Sequence, residues 1–333
     1  MKDLKQTIFI FFAFLVISCA SDSSGNQDEQ FPEEAGSEHL YLADPTMLNY
    51  NGIYYLYGTS QGNLEKYGKG FLVFTSEDLT EWNGPAGNAD GFALREASAF
   101  GTDGFWAPQV FRYNNVFYMA YTANEKIALA TSTSPLGPFT NSGTPIDNTI
   151  SQIDPFIFFD DDGKKYLYHV RFENGNKIFV AELNEDLQSI KEETLTEVLA
   201  AEEPWENTAG SEWPVAEGPT VFKRDNTYYL LYSANDFRNP DYAVGYATSM
   251  SPYGPWTKAE NDPIIHGDKI GESGTGHGDL FWDNDMNMHY VLHTHYSKNS
   301  VFPRISGIVE IELNSDGITV KDESFLPLNR IIN

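Results

Sequence analysis

The stretch NGIYYLYGTS at residues 51–60 joins a tight turn to an alternating, aromatic strand. Asn-Gly is typical of two-residue hairpin turns, which need positive φ, and Tyr-rich alternation is typical of a half-buried strand. The same turn-and-strand pattern returns four more times, the last copy being the weakest. These copies occupy residues 114–121, 162–168, 225–232 and 284–292. Five copies of one hairpin predict an all-β fold built from equivalent units.

A second motif repeats along with the hairpins. SPLGPF at residues 134–139 and SPYGPW at residues 251–256 each follow the third predicted strand of their unit. The units are spaced by roughly 50 to 60 residues, which suits a four-stranded propeller blade. No long amphipathic pattern interrupts them. We therefore predict a five-bladed β-propeller over residues 38–333.

The first strand of each unit aligns on a proline or a small residue. Proline is tolerated at the start of a strand and rarely elsewhere in a sheet, so each pair marks the same strand position. The aligned pairs are Asp44-Pro45, Ala107-Pro108, Asp154-Pro155, Gly218-Pro219 and Gly278-Asp279. All five should surround one end of the central channel. On this alignment Asp44 and Asp154 stand directly before the aligned position, and Trp106, Glu217 and His277 stand one residue earlier.

The predicted ring therefore gathers three carboxyl groups, an indole and an imidazole from five blades. Burying several carboxylates together costs free energy unless they are paired or neutralised, so such a cluster indicates a functional site. By the same strand count, Arg171 and Arg304 fall beside this face. His289, His293 and His295 are interpreted as ordinary strand residues. The acidic run at residues 160–162 precedes a hairpin and lacks EF-hand spacing, which favours a solvated turn.

The composition narrows the choice of partners. The 333-residue chain has a net charge of −27, which argues against nucleic acid as a partner because like charges repel. Neutral ligands and divalent cations remain compatible with this charge. Aromatic residues make up 14% of the chain, enough to build both sheet cores and platforms for sugar rings.

The first 37 residues read as a leader and a tether. A short basic segment and an apolar run end in VISC at residues 16–19, which resembles a bacterial lipobox with Cys19 as the acylated residue. Residues 1–19 are thus a predicted lipoprotein signal peptide, and the acidic, Ser- and Gly-rich residues 20–37 a flexible tether. We expect an exported bacterial lipoprotein of the cell envelope, held to the membrane by its lipid anchor. A plain signal peptide with an incidental cysteine is the alternative.

Five short motifs resemble glycoside hydrolase family 43. They are ADPT at residues 43–46, WAP at 106–108, IDP at 153–155, EGP at 217–219 and GHG at 276–278. Each motif is unspecific alone, but their order and spacing, one to a blade, are specific. The resemblance extends over residues 41–313 and implies hydrolysis of a glycosidic bond with inversion.

The resemblance also implies roles for the acidic residues. Asp44 would be the general base that activates water, Glu217 the general acid, and Asp154 the residue that orients Glu217 and raises its pKa. Inverting enzymes hold acid and base roughly 6.5–9.5 Å apart, which leaves room for the water. A carboxyl group whose pKa is raised near neutrality can serve as the acid.

Further positions carry over from the family. Trp106 would pack around the sugar, and Arg304 would contact the substrate and the acidic cluster. His277 would contact substrate, or lie near a water or metal ion in the channel. The chemistry requires no cofactor, although a structural calcium ion near the axis is compatible with it. Ile153 stands where some exo-acting members carry an aromatic residue, so the walls of the sugar pocket are less defined.

The substrates implied are plant cell-wall polysaccharides or oligosaccharides. Long loops on the active face favour a closed pocket, and hence removal of α-L-arabinofuranosyl residues. A β-D-xylosidase or an arabinanase of the same fold is the alternative. A glycan-binding propeller lipoprotein without turnover would need the aromatic residues but not three converging carboxyl groups. A retaining fructosidase is disfavoured, because Ile153 replaces the arginine of an Arg-Asp-Pro triplet.

Overall fold

A computed structural model describes residues 36–60, 69–147 and 149–332. The predicted signal peptide and Cys19 lie outside the described residues, as does all of the predicted tether except its last two positions. Ser37, which we placed in the tether, already belongs to the first strand. Within the described part, no helix is long and apolar enough to cross a membrane.

The described residues form seven antiparallel sheets: six make up the five blades of a propeller, blade 1 being divided between two of them, and the seventh is a two-stranded pair. In chain order, the strands are β1 (Ser37–His39); in blade 1, β2 (Leu42–Tyr50), β3 (Ile53–Ser60), β4 (Gly70–Leu72), β5 (Phe74–Ser76) and β6 (Phe92–Arg95); in blade 2, β7 (Trp106–Tyr113), β8 (Val116–Ala123) and β9 (Lys126–Ser132); in blade 3, β10 (Gln152–Phe159), β11 (Lys165–Phe172), β12 (Asn176–Glu182) and β13 (Thr196–Leu199); in blade 4, β14 (Ala216–Arg224), β15 (Thr227–Ala234), β16 (Ala243–Ser249) and β17 (Thr257–Lys258); in blade 5, β18 (Gly276–Trp282), β19 (Met288–Thr294), β20 (Ile305–Asn314), β21 (Gly317–Val320) and β22 (Leu326–Pro327); and finally β23 (Asn329–Ile331).

Helical structure is sparse in the described chain. One short α-helix, α1, and three 3₁₀ turns lie between strands: α1 (Gly267–Ile270), Glu96–Ser98, Glu192–Thr194 and Pro204–Asn207. The prediction of an all-β, five-bladed propeller is therefore confirmed. The expected four strands per blade are not uniform. In the described residues the sheet of blade 2 has three strands, and the strands of blade 1 are divided between the sets β2–β3–β5 and β4–β6.

The repeated Ser-Pro-x-Gly-Pro turns hold neighbouring blades together. The hydroxyl of Tyr57 in blade 1 donates to the carbonyl of Pro135 at 2.5 Å, in the turn of blade 2. Tyr168 in blade 3 makes the equivalent bond to Pro252 in blade 4 at 2.7 Å. Both tyrosines are fully buried, so each hydroxyl needs such a partner. The sequence repeat is thus a repeated contact between blades.

The two ends of the described chain close the ring. Strand β1 pairs antiparallel with β23, opposing Ser37 to Ile331 and His39 to Asn329. An ion pair between Glu38 and Arg330 lies across this pair. Closure places blade 5 beside blade 1, where β18 packs against β2.

Candidate active site

All five inner strands carry the same irregularity at one end. The pairing of each inner strand with its neighbour shifts register there, as it does at a β-bulge, and the residue within the shift has positive φ. These residues are Asp44 (47°), Ala107 (45°), Asp154 (56°), Gly218 (61°) and His277 (39°). Positive φ is unfavourable for non-glycine residues and concentrates at functional sites, and bulges redirect side chains.

The bulges correct one part of the sequence alignment. His277 occupies the bulge position itself and is therefore equivalent to Asp44 and Asp154, not to Trp106 and Glu217. Gly278 takes the place of the proline. A β-carbon added at Gly278 would lie 1.7 Å from the carbonyl oxygen of Val291, so no larger residue fits without movement of the backbone. The sequence alignment placed His277 one residue out of register, because a bulge without proline has no recognisable sequence pattern.

Each bulge is tied to the preceding blade, and we call this contact a seam. In four seams, a side chain on the second strand of the preceding blade accepts the N–H of the bulge residue. The four bonds are Ala107 to Thr59 Oγ1 (2.9 Å), Asp154 to Thr122 Oγ1 (3.0 Å), His277 to Ser233 Oγ (2.8 Å) and Asp44 to His293 Nδ1 (3.2 Å). The four acceptors stand at the same position in the register of their strands.

The seam between blades 3 and 4 differs from the others. Val170 occupies the register position of the acceptors, and a valine side chain has no atom that can accept a hydrogen bond. The N–H of Gly218 is bonded instead to Oδ2 of Asp154 at 3.3 Å. Asp154 is thereby attached to the residue that follows Glu217.

Asp44 lies in a cationic environment. Arg304 Nη1 donates to Asp44 Oδ1 at 3.1 Å, and Thr59 Oγ1 donates to Oδ2 at 2.6 Å. His277 Nδ1 and His293 Nδ1 each lie 3.5 Å from Oδ1. Burial by itself raises the pKa of Asp44, but Arg304, the two histidines and the Thr59 hydroxyl hold it well below its usual range. Asp44 is therefore a carboxylate at neutral pH.

Glu217 lies in the same pocket, but none of the cationic side chains in the described part of the chain is bonded to it. Tyr242 donates its hydroxyl to Oε1 at 2.9 Å, and Asn176 Nδ2 donates to Oε2 at 2.9 Å. Burial raises the pKa of Glu217 to about 7, against the two hydrogen bonds, which lower it; the charges of Asp44 and Asp236 raise it further. At neutral pH this side chain is therefore poised between its acid and its base form.

Asp154 stands between the other two carboxyl groups. Burial raises its pKa well above the usual range, and the charges of Glu217 and Asp44 raise it further. Burial is also the largest cause of the raised pKa of Glu217. Asp154 is not among the main causes of that raised pKa, whereas its bond to Gly218 attaches it to the residue that follows Glu217.

The other predicted residues surround the same space. His277 is buried, and burial lowers its pKa, which favours a neutral ring at pH 7. Arg304 lies against the ring of Phe237, with its guanidinium carbon 4.5 Å from the ring centroid. Trp106 is 40% exposed at the pocket wall. Arg171 does not line this pocket: it donates to His169 at 2.9 Å and lies 3.7 Å from Asp147.

These groups line a cavity of about 770 Å³ that opens on one face of the propeller. The lining residues are Asp44, Thr59, Trp106, Glu125, Ile153, Asp154, Phe172, Asn176, Trp213, Val215, Glu217, Asp236, Phe237, Arg238, His277, Phe302 and Arg304. Nine of them lie in strands and the other eight in the segments that connect strands. A volume of this size suits a small ligand such as one or a few sugar rings.

A much smaller cavity of about 20 Å³ lies on the channel axis, lined by Asp44, Asp154 and His277 among others. That volume is enough for about one water molecule. Nearby, Thr46 donates to Asp279 Oδ2 at 2.7 Å, and burial raises the pKa of Asp279 to about 6.

A structural calcium ion near the axis is compatible with the family resemblance. Calcium takes six to eight oxygen ligands. In the described part of the chain, no group of three or more His, Cys, Asp or Glu side chains is placed to hold a metal ion. The axial calcium and the water-mediated role of His277 stay predictions, and no chemical step below depends on them.

Several residues of the site were missed at the sequence level. Trp213 and Tyr242 come from irregular segments between strands, whose conformation no repeat predicts, and Asn176 is the first residue of β12. His293 does lie in β19, as interpreted, but it also contacts Asp44. Its position in the strand register could have indicated this contact, because it stands where three of the other blades carry a threonine or serine beside the ring.

The fold and the acidic pocket together define a class, the β-propeller glycoside hydrolases. The sequence model of the glycosyl hydrolases family 43 matches residues 39–319. The match covers most of the chain, and the protein therefore belongs to this family.

Individual relatives agree with this assignment. The chain is similar to the crystal structure of an endo-1,4-β-xylanase from Bacteroides thetaiotaomicron, with a TM-score of 0.81 and 40% identity over 89% of this chain and 99% of that one. It is 28% identical to a β-D-galactofuranosidase of Aspergillus niger, over 87% of this chain and 83% of that protein. It is 29% identical to xylosidase/arabinosidase 43A of Humicola insolens, over 66% and 79% respectively.

Proposed function

We propose that this glycoside hydrolase cleaves terminal α-L-arabinofuranosyl residues from plant cell-wall polysaccharides or oligosaccharides, with inversion at the anomeric carbon. Asp44 is the general base and Glu217 the general acid. Asp154 positions Glu217 through the Gly218 amide. Trp106, Arg304 and His277 contact the sugar.

One observation carries this proposal: two buried carboxyl groups in one pocket have pKa values displaced in opposite directions. Arg304 and the Thr59 hydroxyl keep Asp44 ionised, whereas burial raises the pKa of Glu217 to about 7. Pairs of carboxyl groups separated in this way divide the roles of base and acid. A binding protein without turnover has no need of such a separation.

The reaction follows from these protonation states. A water molecule beside Asp44 gives a proton to the carboxylate while its oxygen attacks the anomeric carbon. The bond from that carbon to the leaving oxygen breaks, and Glu217 supplies the proton that the leaving oxygen takes up. Acid–base assistance of this kind contributes roughly 100- to 10,000-fold to the rate.

The names of the relatives support a pentose or furanose substrate. The fungal relatives are a β-D-galactofuranosidase and a xylosidase/arabinosidase, and their names together cover furanoside and xyloside bonds. The loops that wall the pocket favour an exo-acting enzyme, and exo action on a furanoside points to arabinofuranosyl ends. The second candidate is hydrolysis of β-D-xylosyl bonds, favoured by the 40% identity to a xylanase.

The test is an assay of purified protein on 4-nitrophenyl α-L-arabinofuranoside, β-D-xyloside and β-D-galactofuranoside, and on linear arabinan. We expect the arabinofuranoside to be cleaved with the highest kcat/KM, and proton NMR to show the inverted anomer first. Glu217→Gln should lose at least 100-fold. Preference for the xyloside would support the second candidate, and a Glu217→Gln enzyme as active as the wild type would overturn the assignment of the acid.

We also propose that the protein is a lipoprotein of the bacterial cell envelope, acylated at Cys19. The support is the apolar run ending in VISC at residues 16–19 and the polar composition of residues 20–37. Expression in a bacterial host with an alkyne fatty acid should label the protein, and Cys19→Ala should abolish the label. Unlabelled wild-type protein, recovered in the culture fluid, would contradict the anchor.

A further inference from the structure

A short chain of hydrogen bonds connects the mouth of the pocket to Glu217. Trp213 Nε1 donates to Asn176 Oδ1 at 3.0 Å, and Asn176 Nδ2 donates to Glu217 Oε2 at 2.9 Å. The backbone of Asn176 is fixed by its N–H bond to the carbonyl of Pro214 at 2.9 Å. The three side chains all line the same pocket.

The indole determines which end of the amide faces Glu217. An asparagine side chain has a donor end and an acceptor end, and the indole N–H can only donate. With Oδ1 engaged by Trp213, the NH₂ group is the end that meets the carboxyl oxygen. Without the indole N–H, the amide can turn and present Oδ1 to Glu217 instead.

We propose that Trp213 is a positioning residue: by holding the Asn176 amide in one orientation, it keeps a hydrogen-bond donor on Oε2 of the acid Glu217. This inference rests on the proposed role of Glu217 as general acid. A donor to a carboxylate favours its ionised form. The two hydrogen bonds from Trp213 to Asn176 and from Asn176 to Glu217, called the relay here, therefore help Glu217 to release its proton to the leaving oxygen. They also keep the pKa of Glu217 from rising further.

Trp213 also contributes an aromatic surface to the pocket. Its side chain is 48% exposed at the pocket wall, and Phe302 on the same wall is 53% exposed. Exposed aromatic faces at a sugar site provide stacking surfaces. One residue thus stands both at the sugar-binding surface and at the end of the relay to the acid.

Several charged groups around Glu217 also influence its pKa. Besides the donors Tyr242 and Asn176, its charge interacts with Asp44, Asp154, Asp236 and Arg238. Trp213→Phe removes the indole N–H together with part of the aromatic surface, and it changes none of these charges. Its effect on the titration of Glu217 can therefore be assigned to the relay.

The test is the pH profile of kcat/KM for Trp213→Phe on an arabinofuranoside with a poor leaving group. We expect the alkaline limb to move upward by about half to one pH unit, and kcat at the optimum to fall about three- to tenfold, since a weaker acid transfers its proton less readily. Asn176→Ala should move the limb in the same direction and further. On a 4-nitrophenyl glycoside, which leaves with little protonation, the loss in kcat should be smaller.

Phe302→Leu is the matched control, because it removes an exposed aromatic ring from the same wall without touching the relay. It should raise KM and leave the alkaline limb in place. If Trp213→Phe also changes only KM, the relay is wrong while the proposed function stands, provided that Glu217→Gln is inactive. If Glu217→Gln keeps the wild-type profile, the proposed acid itself is wrong.

Discussion

Four seams of the propeller are closed by side chains that stand outside the acidic cluster or at its edge, whereas the seam between blades 3 and 4 is closed by Asp154. The difference comes from one position: Val170 stands where the other blades carry threonine, serine or histidine. The Gly218 amide is bonded to Asp154 instead. Asp154, a residue of the acidic cluster, thus makes the hydrogen bond that joins blades 3 and 4. The same bond orients the carboxyl group of Asp154 within the site.

The largest effect is expected from substitutions of Asp154. Asp154→Ala removes both the acceptor for Gly218 and the carboxyl group, so kcat/KM should fall at least 100-fold. The buried Gly218 N–H would lose its partner, at a cost of about 1–3 kcal/mol in the free energy of unfolding. Steady-state kinetics and urea unfolding measure the two effects.

Asp154→Asn separates these effects, because an amide oxygen can still accept from Gly218. We expect activity to fall while the free energy of unfolding stays closer to that of the wild type. If Asp154→Ala and Asp154→Asn lower the free energy of unfolding equally, the hydrogen bond to Gly218 does not stabilise the fold.

The next largest effect is expected from Thr59, which belongs to the seam between blades 1 and 2 and is bonded to the proposed base Asp44. The Thr59 hydroxyl accepts from Ala107 and donates to Asp44. Since that donation lowers the pKa of Asp44, Thr59→Val should raise this pKa and move the acid limb of kcat/KM to higher pH. A loss of about tenfold in kcat/KM is expected for a hydrogen bond to a charged group. An unchanged acid limb would contradict Asp44 as the base.

Thr122→Val breaks an ordinary seam. The Asp154 N–H would lose its acceptor, and we expect the free energy of unfolding to fall by about 1–3 kcal/mol. Thr122 makes no side-chain bond to a carboxyl group of the site, so the pH limits of activity should not move. A shifted alkaline limb would show that ordinary seams also tune the acid.

The smallest effect is expected from Val170→Thr, which supplies the missing acceptor. In the wild-type background it should change activity by only a few-fold, as the introduced hydroxyl competes with Asp154 for the Gly218 amide. Combined with Asp154→Ala, it should recover part of the lost stability, which a double-mutant cycle measures as a coupling of about 0.5–3 kcal/mol. Strict additivity would place Val170 outside the seam.

The sequence predicted those features that depend on local chemistry and on repetition. Turns that begin with Asn or Asp, followed by aromatic strands, recur in each blade, and a proline step recurs in four of the five inner strands. The blade count and the meeting of Asp44, Asp154 and Glu217 therefore followed from alignment alone. The register of His277 was displaced by one residue, because its bulge contains glycine where the other four contain proline. Trp213 and Tyr242 were missed, since their positions depend on how non-repeated segments fold back over the channel. Asn176 was missed because it begins β12, and its contact with Glu217 joins two blades that no local pattern connects.

The pairing of β1 with β23 has a consequence for how the protein is made. Asp44 is among the first described residues to be synthesised, whereas Arg304, which keeps it ionised, and β23, which closes the ring, are among the last. Contacts between residues so distant in the chain form slowly, because a long loop must close first. A nascent chain on the ribosome can therefore stack its early blades in turn. Asp44, however, lacks the guanidinium group that keeps it ionised until Arg304 has emerged.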